Sequence, residues 1–530
     1  MAKPQSKKQA SARQSKHQAS KHEAPKHQEN PRHIYTERVV RGASLFFIMS
    51  LAAGFLGYLV RIVLARQLTK AEYGLFYGVF ILYGFLSLFR DMGLGPSLIK
   101  HIPEFKIQKR LDLAKGAIYI TFGGQFAVSV AIFIIFFIFS PQIAGHFFHD
   151  PGAVVPLRLL AVMFLLMPFE KIVGFTFQGF QRIDFVSMIE FVRMMFVLVL
   201  LFVLFQYHAG IWVPALAYII TYLLQIPFYA PFFKKTFPSF FSVRATVSRA
   251  LAQQMVLFGA PVMLGIFGSM VLTYTDTLML AYFTTAETVA SYQTAMPTTK
   301  LLLYFASALS AVLLPLSSEL WARNMKGKLT KGMEMIYRYS FALVFPLSLL
   351  MISFPELILK VLFGPEYADA ALTLQILAFG TFLYSISFIN SNILSGIGRP
   401  AENTTIIIIG AVINIILNFL LIPRFSILGA SIATMTSYGF ILAGTSWYLN
   451  RFVSAGVPWV AWFKTILAGA LFVFAIFFIK QQLTLFGDVA EAIITAAVSG
   501  VLYLVLLFLL RIFTADEVTY LVGSVLSKKQ

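Results

Sequence analysis

The chain has 530 residues, of which 58% are hydrophobic, 15% aromatic and only 12% charged, with mean hydropathy +0.78 and formal net charge +19. An ordinary soluble domain has no use for that much apolar surface, and soluble enzyme and nucleic-acid-binding classes are excluded with it. The absence of cysteine rules out disulfides, thiolate metal sites, iron–sulfur clusters and cysteine nucleophiles together.

The first 41 residues are polar and rich in Lys, His and Gln, and they lack the apolar core of a cleavable signal peptide. The pairs Lys16-His17, Lys21-His22 and Lys26-His27 raise a metal-binding reading. The preferred expectation is a disordered basic cytoplasmic tail resting on anionic lipid heads. Apolar runs of ~20 residues follow, each long enough to cross a ~30 Å hydrocarbon layer as a helix. Fourteen such spans are expected, near 42–65, 73–97, 115–139, 155–177, 185–206, 211–233, 252–282, 288–320, 335–360, 370–397, 403–421, 427–449, 459–480 and 489–511.

Loop charge tests the count, because Lys and Arg accumulate on the cytoplasmic side. With the tail inside, even-numbered spans should end at basic loops. They do, at Lys100 to Lys115, Arg182, Lys234 to Arg249, Arg323 to Lys331, Arg399 and Arg451. The opposite loops are poor in basic residues, with exceptions at Arg66, Lys70, Arg424 and Lys480. Both termini are therefore expected in the cytoplasm. Residues 234–251 mix basic residues with Phe237, Phe240 and Phe241 and read as an amphipathic linker lying on the inner leaflet. A C-terminal cytoplasmic tail is expected over 513–530.

Shifting the chain by 215 residues lays "RIVLARQLTKAEYGLFY" (61–77) on "DTLMLAYFTTAETVASY" (276–292), so that Thr69, Ala71, Glu72 and Tyr77 meet identical residues. A shift of 217 aligns Gly179 and Arg182 with Gly396 and Arg399. An internal duplication follows: two pseudo-symmetric six-helix lobes over 42–233 and 252–451, then two extra helices over 458–512. Parallel repeats of this kind are a transporter architecture, with the substrate between the halves.

Several stretches resemble the polysaccharide-transporter branch of the multidrug/oligosaccharidyl-lipid/polysaccharide exporter superfamily. They are "LARQLTKAEYGLFYGVF…FRDMGLG", "YTDTLMLAYFTTAETVASYQTA", "FGPEYADAALTLQILAFG" and "SGIGRPAENTTIIIIGAVINIILNFLLIPRFSILGASIAT", which carries Asn414, Asn418 and Pro423. The likeness covers roughly 40–450; the basic tail and the "IPRFS" variant depart from the family pattern. The resemblance implies a flippase for lipid-linked oligosaccharides, with a central cavity that opens alternately to either side.

Charged residues inside spans take their meaning from that setting, since such groups are costly in lipid and usually functional. The 215 shift pairs Asp276 with Arg61, and the resemblance implies that both helices line the cavity. Arg61 and Lys300 are candidates to hold the substrate's phosphate or diphosphate, with Arg158 as a third. Asp276 is a candidate to balance them or to bind a coupling H⁺ or Na⁺; the bland alternative is an Arg61–Asp276 or Lys300–Asp276 ion pair that only fixes packing. Glu190, three residues before Arg193 on one helix face, is a second candidate for coupling or charge balance. Asn390 and Asn392 are candidate glycan contacts against a background expectation of interhelical hydrogen bonds, as for Asn414 and Asn418. Arg90-Asp91 and Glu170-Lys171 read as markers of the membrane interface.

The expected partners are a lipid-linked oligosaccharide, membrane lipids and a coupling ion, with no cofactor and no nucleic acid. The chain is expected to act as a monomer in the cell membrane, near glycan-assembly enzymes. A cation-coupled multidrug exporter of the same superfamily is the nearest alternative, although it should line its cavity with uncompensated acids. A membrane glycan polymerase is a further one, disfavoured by short outer loops in which "HFFHD" (146–150) is the sole cluster with chemical potential. A non-transporting membrane scaffold remains the third.

Overall fold

The structure is a computed structural model, and it describes residues 31–310, 313–453, 456–482 and 488–513. The Lys-His pairs, the first thirty residues of the expected tail and nearly all of the expected C-terminal tail lie outside the described residues.

Every regular element among the described residues is helical. In chain order they are α1 (Pro31–Gln67), α2 (Lys70–Asp91), α3 (Leu94–Ile107), α4 (Leu111–Ile138), α5 (Ser140–His146), α6 (Val154–Gly179), α7 (Ile183–Tyr207), α8 (Trp212–Thr236) and α9 (Arg249–Phe283). There follow α10 (Ala286–Ser310), α11 (Leu313–Ala322), α12 (Lys326–Ser353), α13 (Pro355–Leu362), α14 (Ala371–Gly396), α15 (Pro400–Asn450), α16 (Trp459–Gln482) and α17 (Asp488–Leu509). Helix begins at Pro31, inside the segment read as a disordered tail.

Twelve helices among the described residues are long and apolar enough to cross a membrane, against fourteen expected spans. The difference has two causes. The 51-residue α15 is one of the twelve, yet it is broken at Ser426 (φ 53°, ψ −129°). It folds back as a hairpin, with Asn414 Nδ2 donating to Thr434 Oγ1 at 3.3 Å. And α10 is not among the twelve, because it carries Ser291, Gln293, Thr294, Thr298, Thr299 and Lys300.

The sequence duplication recurs as element order. Short α5 and the 3₁₀ turn Pro151–Ala153 precede α6, just as short α13 and the 3₁₀ turn Pro365–Ala370 precede α14. In the first half α1 packs on α7, α4 on α6 and α6 on α8; in the second α9 packs on α15, α12 on α14 and α14 on α15. The helix α16 pairs with α17 and leans on α12. Local chemistry agrees with the boundaries. The conserved-offset pair Thr69/Glu72 forms a capping box at the start of α2, Glu72 N donating to Thr69 Oγ1 at 3.3 Å and Thr69 N to Glu72 Oε2 at 3.0 Å.

Residues 237–248 are turns and extended chain rather than helix, and they strap the first half. Phe237 is buried, Lys115 Nζ donates to Val243 O at 2.8 Å and Thr246 Oγ1 to Asp112 Oδ2 at 2.8 Å.

The halves meet through α2 and α3 against α9 and α10. At the start of α2, a Cβ on Gly74 would lie 1.8 Å from the Ala286 carbonyl oxygen, so only glycine permits the approach. Just beyond its end, Gly93 (φ +71°) faces Gly259, where a Cβ would lie 2.0 Å from the Gly259 oxygen. Two backbone seams thus close opposite ends of the interface.

Candidate functional site

Between the seams lies a chamber of about 620 Å³. Its walls come from both halves: Arg61 (α1), Lys171 (α6), Glu190 and Arg193 (α7) from one, Gln293 and Lys300 (α10) from the other. Four cationic side chains therefore face one carboxylate. Tyrosines 77, 218, 222, 274 and 304 add amphipathic surface.

Arg61 is held firmly. Its Nη1 donates to Gln293 Oε1 at 3.1 Å, and its guanidinium sits 4.3 Å from the Tyr77 ring centroid. Lys300 is half-buried and makes no ion pair among the described residues. Arg193 pairs with Glu190, as the three-residue spacing predicts, and also approaches Glu170 Oε2 at 3.8 Å and the Tyr222 hydroxyl at 3.3 Å. Lys171 Nζ lies 3.4 Å from Glu170 Oε2.

Asp276 does not line the chamber. It is 2% exposed and points into the second half, where Tyr292 Oη donates to Oδ2 at 2.6 Å, Thr434 Oγ1 to Oδ2 at 2.5 Å and Asn418 Nδ2 to Oδ1 at 2.6 Å. Neither Arg61 nor Lys300 forms an ion pair with it among the described residues. The carboxylate is compensated by neutral donors, and beside it the buried Asn418 Oδ1 has no hydrogen-bond partner. Adjacent residues link this nest to the chamber: Tyr292 holds Asp276, while its neighbour Gln293 donates to Thr277 Oγ1 at 2.5 Å and accepts from Arg61.

The remaining expected site residues are elsewhere. Arg158 is exposed, donating to Ser140 Oγ at 2.9 Å and lying 5.2 Å from the Phe137 ring centroid. Asn390 is buried among α12, α14 and α15, bonded to the Tyr337 hydroxyl, Thr445 Oγ1 (3.2 Å) and Ser446 Oγ (3.0 Å). Asn392 donates to the Phe388 carbonyl at 2.8 Å. None of the three lines the chamber.

Of the two pairs read as interface markers, one member each is buried in the first half, while Asp91 is half-buried and Lys171 lines the chamber. Glu170 is 3% exposed and Arg90 3%, while Asp91 accepts from Gln125 Nε2 at 2.5 Å. Lys171 and Arg193 are thus chamber residues that the sequence did not single out as such. In "HFFHD", His146 Nδ1 contacts its own helix at Gln142 O and Asp150 caps Gly152 N, and no group of metal-ligating side chains occurs among the described residues.

Two helical halves around a charged chamber define a multi-pass membrane transporter. The family model described as polysaccharide biosynthesis protein matches residues 39–321, and the model named MatE matches 261–420. A membrane protein of Methanocaldococcus jannaschii is 34% identical over 93% of this chain and 100% of its own length. The Haloferax volcanii protein named "Probable low-salt glycan biosynthesis flippase Agl15" is 25% identical over 82% of this chain and 90% of its own. Among solved structures, the lipid II flippase MurJ in an inward closed conformation superposes with TM-score 0.72 at 14% identity, covering 87% of this chain and 97% of MurJ. An inward-facing multidrug resistance MATE family transporter of the MOP superfamily superposes with TM-score 0.63 at 14% identity, covering 78% and 95%. The chain belongs to the polysaccharide biosynthesis protein family, the polysaccharide-transporter branch of the MOP superfamily. It is a flippase or transporter of that superfamily.

Proposed function

We propose that the protein flips a lipid-linked oligosaccharide, carried on a polyprenyl or dolichyl phosphate or diphosphate, from the inner to the outer leaflet of the cell membrane by alternating access. The observation that carries the reading is the chamber's charge: Arg61, Lys171, Arg193 and Lys300 against Glu190 and the buried Glu170 behind Lys171 and Arg193. An excess of cations in a partly dry cavity attracts a phosphate group and repels the cationic cargo of a drug exporter. Arg61 and Lys300, reaching in from opposite halves, grip the headgroup together, and Glu190 neutralises Arg193 when the chamber is empty. The glycan rides in the chamber while the lipid chain stays in the bilayer. Arg158, Asn390 and Asn392 take no part in this reading.

Coupling falls to Asp276. A buried carboxylate without a cationic partner is expensive, and Asp276, Thr434 Oγ1 and the unpartnered Asn418 Oδ1 offer oxygens suited to H⁺ or Na⁺. Gln293 connects the two events. An anion that draws Arg61 away from Gln293 disturbs the turn whose next residue, Tyr292, holds Asp276.

The test is reconstitution into vesicles containing a fluorescent lipid-linked glycan, with rates measured under imposed H⁺ or Na⁺ gradients. Translocation accelerated by one gradient is expected. Transport of a cationic dye with no movement of the glycan would replace this reading with the exporter.

A further inference from the structure

A second cationic pocket, sharing no lining residue with the chamber, lies where the two C-terminal helices meet the second half. Its volume is about 650 Å³, and Lys331 and Arg338 from α12, Lys464 from α16 and Arg511 just past α17 converge on it, with Glu334 as the single carboxylate among the described residues. The three segments are distant in sequence, so chain proximity does not explain the clustering of charge.

The contacts of Lys331, Lys464 and Arg511 leave their charge uncompensated by carboxylates among the described residues. Lys464 Nζ donates to the Leu510 carbonyl at 3.0 Å, a neutral partner at the end of α17. Arg338 donates to the Tyr339 hydroxyl at 2.9 Å as one of its contacts. Neither Lys331, Lys464 nor Arg511 forms an ion pair with a carboxylate among the described residues. The first turn of α16, which opens at Trp459, adds backbone N–H groups and the positive end of its dipole to the same pocket.

The rim is apolar and faces outward. Trp459 and Val460 are each 71% exposed and Phe463 is 70% exposed, on a helix apolar enough to cross a membrane. A cationic hollow bordered by exposed aromatic and aliphatic side chains at the mouth of a spanning helix matches a molecule that is anionic at one end and hydrocarbon at the other.

We infer that this pocket binds the phosphate headgroup of an anionic membrane lipid, whose chains lie along Trp459, Val460 and Phe463. Because its cations come from α12, α16 and the segment after α17, the bound phosphate ties the C-terminal helix pair to the second half. This site is independent of the cargo chamber and of what the chamber carries.

The experiment uses the full chain in detergent, titrated with phosphatidylglycerol, with phosphatidylcholine and with inorganic phosphate or pyrophosphate. Lipid retention is read by native mass spectrometry and the melting temperature in parallel. Phosphatidylglycerol should be retained and raise the melting temperature, phosphatidylcholine should do neither, and soluble phosphate should compete poorly. Lys464→Gln and Arg511→Gln should each weaken retention by about fivefold, while Lys106→Gln, exposed in the last turn of α3, should not. Lys331→Glu at the exposed rim carries the same test if a pocket variant fails to fold. Equal retention of the two lipids, undiminished retention in the rim and pocket variants, or soluble phosphate binding as well as the lipid would each overturn the assignment.

Discussion

Lys300 and Arg61 differ in how they are held, and the difference sets what their removal should do. Lys300 has no ion pair among the described residues, so Lys300→Gln should leave the melting temperature unchanged. It should nonetheless slow glycan translocation by tenfold or more, the worth of a charge-assisted contact of about 1.5–3 kcal/mol, and Lys300→Arg should retain most of the rate. A merely structural lysine would give the opposite pattern. Gln293 sits between Arg61 and Thr277, beside the residue that holds Asp276. Gln293→Leu should therefore leave some glycan movement but lose its acceleration by an ion gradient, as should Asp276→Asn, which keeps the carboxylate's shape. Full gradient dependence in both variants would sink the coupling role. Asp276 was visible in the sequence as an acid in an apolar run, but its surroundings were not. Tyr292, Asn418 and Thr434 come from other helices, and helical periodicity cannot say which side of a span meets them. Lys171 was hidden for a related reason: a charge near a span end reads as interfacial until packing shows that it faces a chamber, while Arg193 was read as the partner of Glu190, a pairing that does not say what the two face.

At the level of helices, the start of α2 forms a latch as well as a seam. Lys70 Nζ reaches Asp369 Oδ2 at 2.8 Å, Ser291 Oγ donates to the same oxygen at 2.8 Å, and Arg66 donates to the carbonyls of Lys360 and Leu362 at the end of α13, each at 3.2 Å. Capping a helix C-terminus with a guanidinium is favourable, yet the exposed ion pair is worth only ~0–1 kcal/mol. Such a contact can open within a transport cycle. Asp369→Asn should make a cysteine placed at the half-buried Ala286 more reactive to an impermeant maleimide, and the swap Lys70→Asp with Asp369→Lys should restore protection. Unchanged labelling in Asp369→Asn would mean that the glycine seam alone holds this end. The helical, membrane-spanning character was legible because hydrocarbon-length apolar stretches alternate with charged loops. The turn at Ser426 was legible as the gap between runs, whereas the extension of α1 back to Pro31 was not, since its first residues are polar and carry no span signal.

Across the whole molecule, one geometric consequence of alternating access is open to direct trial. The seams at Gly74–Ala286 and Gly93–Gly259 join the halves at both ends of α2 at once, and a flippase has to part each in turn. The chain has no cysteine, so a pair introduced at either end reacts without background. Lys70→Cys with Asp369→Cys bridges the first end; Lys100→Cys with Phe258→Cys bridges the second, where the Lys100 ammonium now lies 4.2 Å from the Phe258 ring centroid. Joined by a short reducible thiosulfonate linker, either pair should abolish translocation in vesicles, and reduction should restore it. The two blocked states should differ. A bridge across one end should leave single-cysteine reporters in the chamber reachable from the opposite side of the membrane alone, and a bridge across the other should reverse that access. If both bridged proteins still moved glycan, the halves would not rock about α2, and the substrate would have to pass along the outside of the bundle rather than through the cationic chamber.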